Sequence, residues 1–267
     1  MKKRFGQNFL INQSIVNKII YESDIKTNDE VLEIGSGDGV LTKEIINKKP
    51  KKFIALEIDK SLKDKLEVFF NKKKNEKYEL IFQDALKFDE RSKFNNNFKI
   101  ISNLPYNISI PLLIKWTSEL NMMPFPKKMI LMFQKEVAER IMANSNTKKY
   151  GRISVLSSSI YQIKKIADVD KKDFFPIPKV NSVVLSFTPL KKKKININDL
   201  KYLKKISFEL FNNKRKKLRK KFQSLFTNDI INSNLLYELY DLRAENLSVD
   251  MFCKLALLLK KTKTLNT

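Results

Sequence analysis

The chain has 267 residues, of which 42% are apolar, so it can hold one large domain, or a medium and a small one, around a packed core. It contains no histidine and one cysteine, Cys253, which excludes Ser-His-Asp and Cys-His catalysis, HExxH metalloproteases, cysteine-rich zinc sites and an internal disulfide. No metal is therefore expected, and a reducing, cytoplasmic setting is. The formal charge is +24, from 53 basic and 29 acidic residues, which points to a polyanionic partner, with nucleic acid favoured over an anionic membrane surface.

Taken in order, Val31–Ile34, Phe53–Leu56, Glu79–Phe82, Phe98–Ile101 and Met129–Phe133 read as buried strands. Helical patterns lie between them at Val40–Asn47, Lys60–Asn71, Ile110–Leu120 and Lys135–Ala143. Alternation of this kind predicts an α/β fold, a mostly parallel sheet with helices on both faces. Ile163–Val169 and Val183–Phe187 are expected to close the sheet with an antiparallel edge. A charged linker follows at Lys191–Lys194. Beyond it Leu200–Phe211, Lys214–Leu225, Asn232–Leu239 and Val249–Lys260 are all helical in period. The expected division is a first domain over 1–190 and a small helical domain over 191–267. The apolar runs are too short to span a bilayer, and Phe9-Leu10-Ile11 is too short for a signal-peptide core.

Three of the five glycines fall within five residues, Gly35, Gly37 and Gly39, between the first of these strands and a helix. Such a turn brings backbone N–H groups close to a ligand. The dinucleotide fingerprint fails, because Val40 replaces its third glycine, and no P-loop is present. Glu33-Ile34-Gly35-Ser36-Gly37-Asp38-Gly39 instead resembles the E/D-x-G-x-G-x-G loop of S-adenosylmethionine (SAM)-dependent methyltransferases. Glu57, at the end of the second strand, suits the two ribose hydroxyls of a nucleoside. Asp84, at the end of the third, suits an adenine amino group. Each alone reads as a solvated carboxylate; together, in register with strand ends, they read as a nucleoside-cofactor site.

After the fourth strand comes Asn103-Leu104-Pro105-Tyr106. Pro105 holds Leu104 extended, which fixes the direction of the Leu104 carbonyl. With the Asn103 side-chain oxygen, it gives two neutral acceptors for the two hydrogens of an exocyclic amine. Tyr106 offers a flat face to an extruded base, worth roughly 1–3 kcal/mol. A neutral amine attacks a sulfonium methyl without a general base, so a histidine-free protein can run this reaction.

Asn103-Leu104-Pro105-Tyr106-Asn107-Ile108-Ser109 resembles the signature of the ribosomal RNA adenine dimethyltransferases, in particular the bacterial enzymes of the small subunit. Further blocks resemble the same family: Phe5–Leu10, Gln134–Ala138, Tyr150–Val155, Phe174–Val180 and Arg243–Ser248. The resemblance implies transfer of four methyl groups from SAM, two to N6 of each of two adjacent adenosines, in the last hairpin loop of small-subunit rRNA. The implied partner is the 30S subunit or an assembly intermediate, with a role in ribosome biogenesis, and the chain is expected to be a monomer with no membrane partner. Carried over by position, Asn8, Leu10, Gly35, Gly37, Glu57, Asp84 and Asn103 contact SAM. Asn103, with the Leu104 carbonyl that Pro105 fixes, would hold the amine, and Tyr106 and Phe174 would stack on the two faces of the adenine. Ser36 and Asn181 depart from the common Pro and Asp without threatening the assignment. Related enzymes that modify a large-subunit adenine usually carry Ile in place of Leu104, and an assembly factor with dispensable methylation is a further alternative.

The last 77 residues carry half the net charge, with 19 basic and 7 acidic residues. Lys214–Phe222 places seven positive charges in nine residues. Phe211, Leu218, Phe222 and Leu225 recur at helical spacing, so one face of that segment is expected to pack. Its remaining face, with Lys214, Arg215, Lys217, Arg219 and Lys221, is expected to follow RNA phosphates, orienting the substrate rather than reading its sequence.

Overall fold

A computed structural model describes residues 7–71, 77–95, 97–118, 125–227, 231 and 234–264. Its central strands are β2 (Glu30–Ile34), β3 (Lys52–Glu57), β5 (Lys99–Asn103) and β6 (Lys128–Gln134), with β4 (Tyr78–Phe82) at one edge. These five run parallel in the order β4-β3-β2-β5-β6. The expected closing pair is β7 (Tyr161–Val169) and β9 (Ser182–Pro189); β9 lies antiparallel beside β6, and β7 forms the second edge. The result is a mixed seven-stranded sheet with helices on both faces. Val31, Leu32, Phe53, Ile54, Ile100 and Ile101 are fully buried, which is why the central strands read as continuous apolar runs. A separate two-stranded ribbon pairs β1 (Phe9–Leu10) with β8 (Phe174–Phe175).

The expected helices appear as α2 (Val40–Asn47), α3 (Lys63–Asn71), α4 (Tyr106–Ser118) and α5 (Lys135–Ile141), then α7 (Leu200–Phe211), α8 (Arg219–Leu225), α9 (Asn234–Leu239) and α10 (Val249–Thr264). The expected starts or ends at Asn232 and Leu120 fall outside the described residues. Two helices escape the sequence reading, α1 (Gln13–Ser23) and α6 (Arg152–Ile160). α1 carried a legible signal. Asn12 caps it by accepting from the Ser14 and Ile15 N–H groups, and Val16, Ile19, Ile20 and Ser23 repeat at helical spacing on its buried face. α6 carried none: seven of its nine residues are buried, three of them serines, so no polar face marks the period.

The basic segment needs correction. Helix was expected from Lys214, but α8 begins at Arg219. Asn213 has φ +59°, and the Leu218 N–H donates to the Leu242 carbonyl at 3.0 Å, so the residues between form turns rather than a helix.

Two compact units result, Met1–Trp116 with Met122–Ala138 and Gln162–Pro189 in one, and Thr117–Asn121 with Glu139–Tyr161 and Leu190–Thr267 in the other. The second unit thus draws in residues 139–161, ahead of the 190/191 boundary that chain order suggests. The reason is packing: α6 lies against α7 and α10 within that unit. No described helix is long and apolar enough to cross a membrane.

Candidate active site at the sheet switch point

Leaving β2, the chain crosses to β3 and β4 on one side; it then returns to lay β5 on the other side of β2. Loops diverge at that switch point and open a crevice at the carboxyl ends of the strands. There the structure holds a cavity of about 250 Å³, lined by the glycine loop, β1, the ends of β3 and β4 and the Asn103–Ile108 segment.

The glycine loop is held by the Gly35 N–H, which donates to the Leu56 carbonyl at 2.8 Å. Gly37 has φ +57°, and a Cβ there would sit 3.0 Å from the Phe9 ring. Gly35 has φ +71°, and a Cβ would meet Pro105 at 3.1 Å. Glycine therefore lets β1 and the Asn103–Tyr106 loop close on this turn from two sides. Behind the loop, Glu33 is 1% exposed and accepts from the Thr42 hydroxyl at 2.6 Å. Burial pushes its carboxyl up to about 8, and the nearby Glu57 and Asp38 charges push the same way.

Glu57 is buried at the end of β3. Its Oε1 accepts from the Ile58 and Asp59 N–H groups at 2.8 and 2.9 Å, and its Oε2 from the Gly37 N–H at 2.8 Å. A carboxylate accepts about four donors, so this one retains capacity for a single further hydroxyl, where the sequence reading assigned two. Asp84 caps the turn at Ala85–Lys87 through Oδ1, which accepts from the Leu86 N–H at 2.9 Å; Oδ2 is left for a ligand. Ile58 and Leu86, both more than 40% exposed, also line the cavity. The sequence reading did not single them out, since an apolar residue at a strand end looks like any other.

At the other end of the crevice, the Asn103 Nδ2 donates to the Asn8 carbonyl at 3.2 Å. That bond turns Oδ1 away from Asn8 as a free acceptor. The Leu104 side chain is buried, and its carbonyl accepts no hydrogen bond among the described residues. Tyr106 opens α4, and its hydroxyl is 2.7 Å from the Ser182 hydroxyl on β9. Burial raises the phenol pKa, so Tyr106 stays neutral. Ser182 orients the ring from a strand 76 residues away, which no local motif could reveal.

Asn8, Leu10, Gly35, Gly37, Glu57, Asp84, Asn103, Leu104, Pro105 and Tyr106 all line this one cavity. Phe174 does not. It pairs with Leu10 in the ribbon and is 1% exposed within the core cluster, so its ring offers no open face to a base. The β-pleat explains this: alternate residues point to opposite sides, and Phe174 shares the inward side with Leu10.

The basic segment is largely engaged within its own unit. Lys221 donates to the carbonyls of Glu209 and Leu210 at 2.7 and 2.8 Å and also to that of Asn212, closing the C-terminus of α7. Lys217 pairs with Asp241 at 2.6 Å, Lys214 with Glu245 at 3.4 Å, and Arg219 lies over the Tyr240 ring. Arg215, Lys216 and Lys220 are exposed.

A family model described as ribosomal RNA adenine dimethylase matches residues 1–261. A ribosomal RNA small subunit methyltransferase A of Pelagibacter ubique is 40% identical over 254 residues, covering 95% of both chains. The protein of that name from Borreliella burgdorferi strain ZS7 is 40% identical over 256 residues, covering 96% of this chain and 87% of its own. A dimethyladenosine transferase from Plasmodium falciparum superposes with a TM-score of 0.78 at 28% identity, covering 96% of this chain and 98% of its own. The 23S rRNA methyltransferase ErmE shares the fold, with a TM-score of 0.69 at 18% identity, covering 95% of this chain and all of its own. A methyltransferase sheet, a glycine turn at its switch point, two free acceptors beside Tyr106 and a match over nearly the full length lead to one conclusion: this chain is an enzyme of the ribosomal RNA adenine dimethylase family.

Proposed function

We propose that this enzyme uses SAM to dimethylate N6 of two adjacent adenosines in the 3′-terminal hairpin loop of small-subunit rRNA, within the 30S subunit or its assembly intermediate. The observation that carries the reading is the pair of unused acceptors, Asn103 Oδ1 and the Leu104 carbonyl, on the wall of the glycine-loop cavity.

SAM, when bound, supplies an electrophilic methyl group on a sulfonium. The residues present fit it. Glu57 has an acceptor left for a ribose hydroxyl, Asp84 Oδ2 is left for an adenine amino group, and Ile58 and Leu86 supply apolar walls. Asn103 and Leu104 hold the two hydrogens of the target amine, which aims its lone pair outward. Held there, SAM would give up its methyl group to the nitrogen lone pair and would keep the S–C bonding electrons on sulfur. The surplus proton on nitrogen leaves to water after transfer, so no base is required. Tyr106, fixed at its tip by Ser182, gives the extruded base its stacking face. After the first transfer a single hydrogen remains for two acceptors, and the amine must rotate before the second. Exposed Arg215, with Lys216 and Lys220, is the part of the basic segment free to meet phosphates. The enzyme acts as a monomer without a metal.

The test uses small subunits from cells lacking their own dimethyltransferase, incubated with the protein and methyl-labelled SAM. Mass spectrometry of the 3′-terminal rRNA fragment is expected to show two adjacent dimethyladenosines. Label confined to protein-free large-subunit RNA run in parallel, or no label despite SAM binding, would overturn the reading.

A further inference from the structure

The ribbon of β1 and β8 buries one side and leaves the other bare. Register pairs Phe9 with Phe175 and Leu10 with Phe174, and the Ile11 N–H donates to the Asp173 carbonyl at 2.8 Å. Alternation puts Leu10 and Phe174 inward and Phe9, Ile11 and Phe175 outward. Phe9 lines the cavity, whereas Ile11 and Phe175 are each 59% exposed. The face therefore runs without a break from the cavity wall to open solvent. Large apolar groups left bare beside a site mark an interaction surface.

Charge narrows the occupant. Lys171, Lys172 and Lys179, in the same loop as Phe175, are exposed, and their side chains pair with no carboxylate among the described residues. Free cations in the loop that exposes the Phe175 ring, along with Ile177 and Val180, fit a single-stranded nucleic acid, whose bases stack on apolar groups while its phosphates meet the lysines.

We infer that Phe175, backed by Ile11, is a stacking platform for the nucleotide next to the target adenosine, so that the ribbon holds the RNA neighbour while Tyr106 holds the flipped base. This rests on the proposed function and deepens it: the platform selects for a flexible, unpaired neighbour, and it keeps the second adenosine of the adjacent pair beside the site. Phe175 is a positioning residue, since it touches neither the methyl donor nor the reacting amine.

The experiment compares the wild-type chain with F175A and F175W on unmethylated small subunits, with 2-aminopurine substituted at each neighbour of a target adenosine in turn. The expected result is quenching of one neighbour by the wild type, loss of that quenching in F175A with a roughly tenfold rise in KM for RNA and little change in kcat, and recovery in F175W. SAM affinity of each variant serves as the folding control. Methyl transfer with KM and fluorescence unchanged in F175A overturns the inference alone. A raised KM with no fluorescence response puts a ribosomal protein on this face and overturns the RNA occupant. No methyl transfer by the wild type overturns the proposed function and this inference together.

Discussion

Replacing Glu33 by glutamine should make the first unit more stable above neutral pH and flatten its pH dependence. Glu33 is 1% exposed, its Oε2 accepts from Thr42 at 2.6 Å, and the carboxyls of Glu57 and Asp38 face it. Together burial and those two charges hold its proton up to about pH 8 in the folded protein, against an ordinary value of 4.5. Between those two values the folded state binds about one proton more than the unfolded state. Stability must then fall as pH rises across the window, at about 1.4 kcal/mol per pH unit, or about 5 kcal/mol over the whole of it. The contribution is fully present below pH 4.5 and is lost by the time pH passes 8. A glutamine side chain has the shape of the neutral acid, accepts from the same hydroxyl and does not titrate. The assay is urea unfolding of both proteins at pH 4.5, 6, 7 and 8.5, followed by the fluorescence of Trp116, the single tryptophan and fully buried in this unit. Other carboxylates cancel in the difference between the two proteins. That difference should grow by several kcal/mol in favour of the Glu33→Gln variant from the acid to the basic end, with unchanged m-values. A difference independent of pH would mean that Glu33 is already ionised when folded, and the reasoning would fail.

Other outcomes follow from single contacts. Asn103→Ala removes one of the two amine acceptors and the anchor to Asn8, and should lower methyl transfer about 100-fold in single-turnover assays while the chain stays folded. Gly37→Ala forces a side chain into positive φ and to 3.0 Å from the Phe9 ring; calorimetry should show SAM affinity reduced at least tenfold, with stability lower by about 1–2 kcal/mol. Ser182→Ala frees the Tyr106 ring, and should lower kcat severalfold with SAM affinity unchanged; an equal loss of SAM binding would contradict its placement at the base-binding end. Lys221→Met uncaps α7 and should cost about 1–3 kcal/mol in thermal unfolding, whereas Arg215→Ala should leave stability within about 0.5 kcal/mol and weaken RNA binding instead.

Much of this protein is local, and local features are legible in a sequence. The apolar runs of β2, β3, β5 and β6 announce strands buried on both faces, because no solvent side exists to impose alternation. Three glycines in five residues announce a turn that residues with a Cβ rarely adopt, and all three have positive φ. Pro105 announces a fixed carbonyl, and Asn103 a neutral acceptor beside it. These motifs also point to the chemistry, through their resemblance to those of SAM-dependent methyltransferases that act on an adenine amine.

Tertiary structure decided whatever depends on partners distant in sequence. α6 was invisible because burial on nearly all sides erases the helical period. Phe174 and Phe175 are equivalent in sequence, yet pairing with Leu10 and Phe9 sends one ring into the core and the other into solvent. Lys221 and Arg215 look alike in a basic run, yet only Lys221 finds the open carbonyls at the end of α7. Residue type fixes what a side chain is able to do. Which of those capacities remains free for function is settled by the neighbours that folding brings to it.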